Sequence, residues 1–213
     1  MTHRPLRIWL ARHAKPLIAE GVCYGALDVA ADPEATAQAA AQLANCLPQG
    51  LTVYTSTLQR CELLAQYLRG LRADLVFKNA PALREMDFGR WEGQAWDAID
   101  PAQLSAWTDD FEDYRCGASG ESAGGFVRRV HAALLQCQAA HAECVWITHA
   151  GVARAIAWLS QAQRLAPLAH AAADPVLPSR LGLAAQSWPP FAPRPGHWVQ
   201  MDWPQPQGPH PSV

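Results

Sequence analysis

Two apolar runs, far apart in the chain, each end in a histidine, and this constrains the fold more than any other feature. Leu6-Arg7-Ile8-Trp9-Leu10-Ala11 leads into Arg12-His13-Ala14, and Glu143-Cys144-Val145-Trp146-Ile147-Thr148 leads into His149-Ala150-Gly151. Short runs rich in Ile, Val and Trp that stop at polar residues, or before Lys15-Pro16, read as buried strands. An open α/β sheet places its ligand crevice beyond the carboxyl ends of its strands. If the two strands are neighbours in one sheet, their imidazoles meet there. The pair then suits phosphoryl transfer, with one imidazole attacking and the other joining arginines around the oxygens. A lone strand-end histidine has a blander reading, as a structural residue.

The segment between the two runs alternates strand and helix. Asp32-Pro33-Glu34 starts a helix, with Asp as cap and Pro at the first helical position, that runs to about Leu47 and stops at Pro48-Gln49-Gly50. Leu51 to Tyr54 is the next strand. The hydroxyls of Thr55-Ser56-Thr57 offer caps for a helix from Leu58 to Leu68 that Gly70 ends. Arg60 falls in its first turn, near backbone N–H groups that favour an anion. Asp74 to Phe77 makes a third strand. Phe126, Val127, Val130, Leu134 and Leu135 form a helical apolar stripe with Ser119 or Ser122 as cap and with Arg128 and Arg129 pointing away. A further helix follows His149 over Val152 to Leu159, and short candidate strands lie at Leu181 to Ala185 and His197 to Met201. Short connections between alternating elements predict an α/β three-layer sandwich, a mostly parallel central sheet with helices on both faces.

A chain of 213 residues suits one domain, here 1–203, with a cap insertion around 91–125 and a disordered tail at 204–213, where five residues in ten are Pro or Gly. Trp91, Trp96, Trp107 and Phe111 in the cap read as packing more readily than as substrate contacts. Fifteen arginines and two lysines are scattered without a basic run and the net charge is −2, which argues against a nucleic-acid surface. The six cysteines lack metal-knuckle spacing, and no apolar stretch is long enough for a membrane span of roughly 18 residues. A reducing, cytoplasmic compartment is expected.

Four ordered segments, Leu10-Ala-Arg-His-Ala14, Thr55-Ser-Thr-Leu-Gln-Arg60-Cys61, Leu83-Arg-Glu-Met-Asp-Phe-Gly89-Arg-Trp-Glu-Gly93 and Ile147-Thr-His-Ala-Gly151, resemble the motifs of the histidine phosphatase, or phosphoglycerate-mutase-like, family. Cys23-Tyr-Gly-Ala-Leu-Asp28-Val29 and the full Leu83 to Gly93 segment look most like its α-ribazole-5'-phosphate phosphatases, which act late in cobalamin synthesis. The resemblance implies a phosphohistidine mechanism. His13 is the nucleophile, Arg12, Arg60 and His149 bind the phosphoryl oxygens, and Glu85 protonates the leaving oxygen. Cys23, Tyr24 and Gly25 belong to a loop that in the family helps enclose the phosphate, and so form a candidate substrate loop. No metal and no cofactor are implied; the partner is a small-molecule phosphate monoester, and a homodimer is left open. A broad small-molecule phosphatase, a mutase, and a phospholigand-binding protein of weak turnover are the alternative readings. Two features depart from the family pattern: Ala14 stands where glycine is usual, and the proline-rich region after Ala162 matches the branch poorly.

Overall fold

The computed structural model describes residues 6–165 and 177–203; the expected tail at 204–213 lies outside them. Five strands form one sheet: β1 (Leu6–Arg12), β2 (Thr52–Thr55), β3 (Val76–Asn79), β4 (Glu143–Thr148) and β5 (Trp198–Trp203). Their order is β3-β2-β4-β1-β5, with β5 antiparallel to β1 at the edge and every other pair parallel. Side chains alternate across the sheet, as the two-residue strand period requires. Ile8, Leu10, Cys144 and Trp146 face one core with α4 (Ala123–Ala140) and α5 (Ala150–Leu165). Trp9, Ala11, Val145 and Ile147 face the other with α1 (Pro33–Cys46) and α2 (Gln59–Leu71). The α/β sandwich with a mostly parallel sheet is thus the fold of the chain. No helix among the described residues is long and apolar enough to cross a membrane.

β1 and β4 are neighbours although α1, β2, α2, β3, α3 (Pro101–Asp109) and α4 separate them in sequence. From β1 the chain leaves toward β2 across one face, and from β4 it leaves toward β5 across the other. The crevice at their carboxyl ends is therefore a topological switch point, where doubly wound sheets take their ligands. The register pairs Arg12 with Thr148, so the residue after each is a histidine.

Local signals explain most element boundaries. Asp32 caps α1 by accepting from the Ala35 amide at 2.9 Å, and Ser122 caps α4 through Gly125. The hydroxyls at 55–57 do not cap α2 as expected. Ser56 is fully buried and hydrogen-bonded to His149, and Asp28 reaches from a distant loop to accept from the Gln59 amide at 2.8 Å. Gly70 does not stop α2 either; the helix runs to Leu71, and the Arg72 guanidinium then crosses to the Ala44, Leu47 and Pro48 carbonyls and to Asp74. With Asp74 committed to Arg72 and to the Gly50 amide, β3 begins two residues later than predicted.

The predicted strand at Leu181 to Ala185 is absent. The amides of Leu181, Gly182 and Leu183 donate to the carboxylate of Glu112 at 2.7, 2.8 and 3.2 Å, so they have no ladder to join. Arg128 and Arg129 point away from the apolar stripe of α4, as expected, and both find acceptors. Arg128 reaches the Ser179 carbonyl, and Arg129 forms a bidentate pair with Glu121. Glu112 is the anchor of the 181–183 segment: burial raises its pKa, but the three amide donors outweigh this and hold it below the usual carboxylate value. Replacing it with alanine strands three amides and is expected to cost about 3 kcal/mol, measured as a lowered urea midpoint.

Candidate active site

The β1–β4 pairing sets the two imidazoles side by side, with ring centroids 5.2 Å apart, and the His13 amide donates to the Thr148 carbonyl at 3.1 Å. Both rings are almost fully buried. His13 Nδ1 lies 2.7 Å from the Ala14 carbonyl oxygen, which can only accept, so Nδ1 carries the proton and the Nε2 lone pair is free. His149 has the opposite tautomer. Arg60 Nε donates to its Nδ1 at 3.3 Å, leaving Nε2–H to donate to Ser56 Oγ at 2.8 Å.

Burial pushes the His13 pKa down, with the Arg60 and Arg12 charges adding to it and the Ala14 carbonyl opposing, to about 3. His149 is held well below the ordinary value by burial first, then by His13, Arg60, Arg12 and Arg129. Both rings are therefore neutral at neutral pH. Ala14 is buried, and Ala118 is the one non-glycine position with positive φ among the described residues, so the methyl group at 14 sits on ordinary backbone.

Arg60 is a fully buried cation whose partners are peptide carbonyls and a ring nitrogen. Its Nη1 and Nη2 donate to Leu27 and Gly25 at 2.8 and 2.6 Å. The loop that supplies those carbonyls is held from the other side by Glu92, whose carboxylate accepts from the amides of Gly25, Ala26, Leu27 and Phe88 at 2.8 to 3.1 Å. Glu92 thus acts on Arg60 through the intervening peptides, a role the sequence did not single out. Gly25 is required here because a Cβ would strike the Met86 carbonyl oxygen. Cys23 is buried in the core, and Tyr24 lies under the Arg60 guanidinium, 5.4 Å from ring centroid to Cζ.

Glu85 reaches the crevice from the other side. Its Oε2 accepts from the Gly151 amide at 2.8 Å, and a Cβ on Gly151 would collide with its carboxylate. The loop carrying it is tied down by Arg129, which donates to the Ala82 and Arg84 carbonyls at 2.7 and 2.9 Å while paired with Glu121.

A cavity of about 430 Å³ opens onto this cluster, and Arg12, His13, Tyr24 and Glu85 form part of its wall. The volume suits a small metabolite. Arg12 donates to the Pro193 carbonyl at 3.1 Å, and its buried Nε has no hydrogen-bond partner among the described residues. Arg60 and His149 do not border the cavity and stand one layer back. The cap aromatics divide. Trp91 is core, whereas Trp96, Trp107 and Phe111 form cavity wall together with Phe88 and Trp188 from outside the cap helix. Trp96, Trp107 and Phe111 pack against the core, as expected, and in addition turn a face to the cavity.

This arrangement of strand-end histidines and arginines agrees with a family match over residues 8–188, to the histidine phosphatase superfamily (branch 1). The chain belongs to that superfamily and is a phosphoric monoester hydrolase of its type. Among solved structures, it is similar to TTHB049 of Thermus thermophilus at 29% identity, covering 94% of this chain and 96% of that one, with a TM-score of 0.64. A structure described as phosphoglycerate mutase from Thermus thermophilus matches at 28% identity over 94% and 95% of the two chains, TM-score 0.64. The mycobacterial glucosyl-3-phosphoglycerate phosphatase shares the fold, with 21% identity over 73% and 79% of the two chains and a TM-score of 0.60. No protein of curated function matches the chain significantly.

The buried neutral histidines make the fold acid-sensitive. The unfolded chain binds protons near pH 6.5 and the folded one does not, so stability is lost as pH falls from about 6.5 toward the folded value near 3. Each such histidine contributes up to about 1.4 kcal/mol per pH unit in that window. Urea unfolding between pH 7 and 4 should show this decline, and His13→Gln should flatten it. An unchanged slope in that variant would contradict the burial argument.

Proposed function

We propose that the chain is a metal-independent phosphomonoesterase that works through a phosphohistidine on His13, with α-ribazole-5'-phosphate as its substrate. The observation that carries this reading is the free, neutral Nε2 of His13 at the wall of a cavity that also receives Arg12 and Glu85.

The His13 Nε2 lone pair forms a bond to phosphorus as the bond from phosphorus to the ester oxygen breaks. Glu85, as the carboxylic acid, gives its proton to that leaving oxygen, which would otherwise depart as a high-energy alkoxide. Water then attacks the phosphohistidine and the N–P bond breaks. Glu85, now a carboxylate, takes the proton from that water. The Arg12 Nε–H, which has no partner among the described residues, and the buried charge of Arg60 offer positive potential to the equatorial oxygens, strongest in the transition state and enhanced by low-dielectric surroundings. His149 adds a second neutral ring beside His13, with centroids 5.2 Å apart.

The substrate assignment draws on the Cys23 to Val29 and Leu83 to Gly93 resemblance and on the cavity wall. Trp96 and Trp107 stack with ring planes 14° apart and centroids at 6.2 Å, and Phe88 stands edge-on to both. Such a wall suits a leaving group with a flat heterocycle, as ribazole has, better than a compact three-carbon acid.

Purified protein incubated with α-ribazole-5'-phosphate and EDTA should release phosphate, with a kcat/KM above that for sugar, nucleotide and glycerate phosphates. A flat profile over the panel would remove the ribazole assignment, and no release from any ester would remove the enzymatic reading. Rapid quench with labelled substrate should trap an acid-labile adduct that is missing in His13→Ala. Gly151→Ala pushes a methyl group against Glu85 and is expected to lower kcat about 100-fold on alcohols that need protonation. It should have a much smaller effect on p-nitrophenyl phosphate, whose leaving group departs without a proton.

A further inference from the structure

The cavity holds a cation that the phosphoryl chemistry does not use. Arg154 sits on α5, and the positions that face the cavity from this helix, Ala150, Gly151 and Arg154, follow its turn. Gly151 is the position beneath Glu85, so Arg154 lies one turn farther from the strand ends than the group placed against the ester oxygen. With a rise of 1.5 Å per residue, its backbone is roughly 7 Å along the helix from His149. A substrate with its phosphate at Arg12 and His13 and its ester oxygen at Glu85 has Arg154 in the wall of the same cavity as its alcohol portion.

Two observations say that the cavity wants an acceptor besides the phosphate. Among the described residues, the buried Nε of Arg154 has no hydrogen-bond partner and its guanidinium enters no ion pair. Trp107, on the same wall, also has a buried indole N–H with no partner among them. A guanidinium and an indole are donors only, and neither can satisfy the other. By contrast, Arg60, Arg72 and Arg129 each hold several carbonyl or carboxylate oxygens.

We propose that Arg154, with the Trp107 indole N–H, forms a subsite for an oxygen acceptor on the alcohol portion of the ester, while the Trp96, Trp107 and Phe88 rings hold a flat ring joined to it. Arg154 is then the residue that selects the leaving group. The inference rests on the phosphomonoesterase reading and adds to it the chemical class of substrate: an aromatic-bearing alcohol with a hydroxyl or carboxylate oxygen within reach of the guanidinium.

The test compares kcat/KM within two substrate pairs, for the wild type and for Arg154→Met, which keeps an unbranched apolar stem and removes the donors. One pair is a ribonucleoside 5'-monophosphate and its 2',3'-dideoxy analogue; the other is 3-carboxyphenyl phosphate and phenyl phosphate. The ratio within a pair does not depend on the fraction of active protein, so partial unfolding of the variant cannot imitate the result. The wild type should favour the acceptor-bearing member of at least one pair by about tenfold, and Arg154→Met should bring that ratio close to one. Loss in the first pair assigns a hydroxyl, and loss in the second a carboxylate. An equal ratio in wild type and variant, or a wild type that prefers neither acceptor, would overturn the subsite. A second measurement needs no turnover: the Kd of the favoured ester for His13→Ala should weaken about tenfold when Arg154→Met is added. Unchanged affinity there would overturn the subsite even if hydrolysis stands, and absence of hydrolysis with weakened affinity would overturn the enzymatic reading alone.

Discussion

Parallel pairing of β1 with β4 is the constraint on which the site depends. Side chains from residues that follow paired strand ends have little choice of direction. With Arg12 opposite Thr148, His13 and His149 are delivered to the same point, and the backbone bond from the His13 amide to Thr148 locks that register. Slipping the pairing by one residue would reverse every side chain and send one imidazole into the core on the wrong face. The cores on both faces, with Trp146 on one and Trp9 on the other, make such a slip expensive.

Around that fixed pair, charge is managed mainly by peptide groups. Arg60 is buried with no carboxylate paired to it among the described residues, and a buried cation is tolerable only if its N–H groups are met. Carbonyls of Gly25 and Leu27 meet them, and the amides of the same loop end on Glu92. The carboxylate and the guanidinium thus sit on opposite sides of one stretch of backbone, whose dipoles run from one to the other. The result is positive potential next to two imidazoles that burial keeps neutral. That combination leaves a nitrogen able to attack and a field ready for phosphoryl charge. Glu121 and Arg129 support the Glu85 loop in a related way, through carbonyls as well as through their own ion pair.

The cavity wall carries two unlike sets of groups. Arg12, His13 and Glu85 form one. The stacked indoles of Trp96 and Trp107, with Phe88 and Arg154, form the other. The first set is polar and charged, and the second is mostly aromatic. Glu112 helps to build it at a distance: by anchoring residues 181–183 it leads the chain to Ala185 and Trp188 on the cavity wall, where Trp188 meets Phe111 with centroids 5.7 Å apart.

The sequence by itself determined the elements with strong local signals. Asp32-Pro33 fixed the start of α1, the apolar runs fixed β1 and β4, and each run carried its histidine to a strand end because an abrupt change from apolar to polar residues marks where burial stops. These are short-range effects, which is why they were legible. Tertiary structure alone decided what used partners remote in the chain. Asp28 capped α2 in place of the nearby hydroxyls, Glu112 took the amides that would have made a strand of 181–185, and Glu92 and Gly25 joined to hold Arg60. It also decided which aromatics of residues 91–111 line the cavity, since Trp91 and Trp107 are the same residue type and only their direction in the folded chain separates core from wall. A side chain that satisfies a distant backbone group leaves no periodicity in the sequence, and three-dimensional packing is the only place where such a bond can be read.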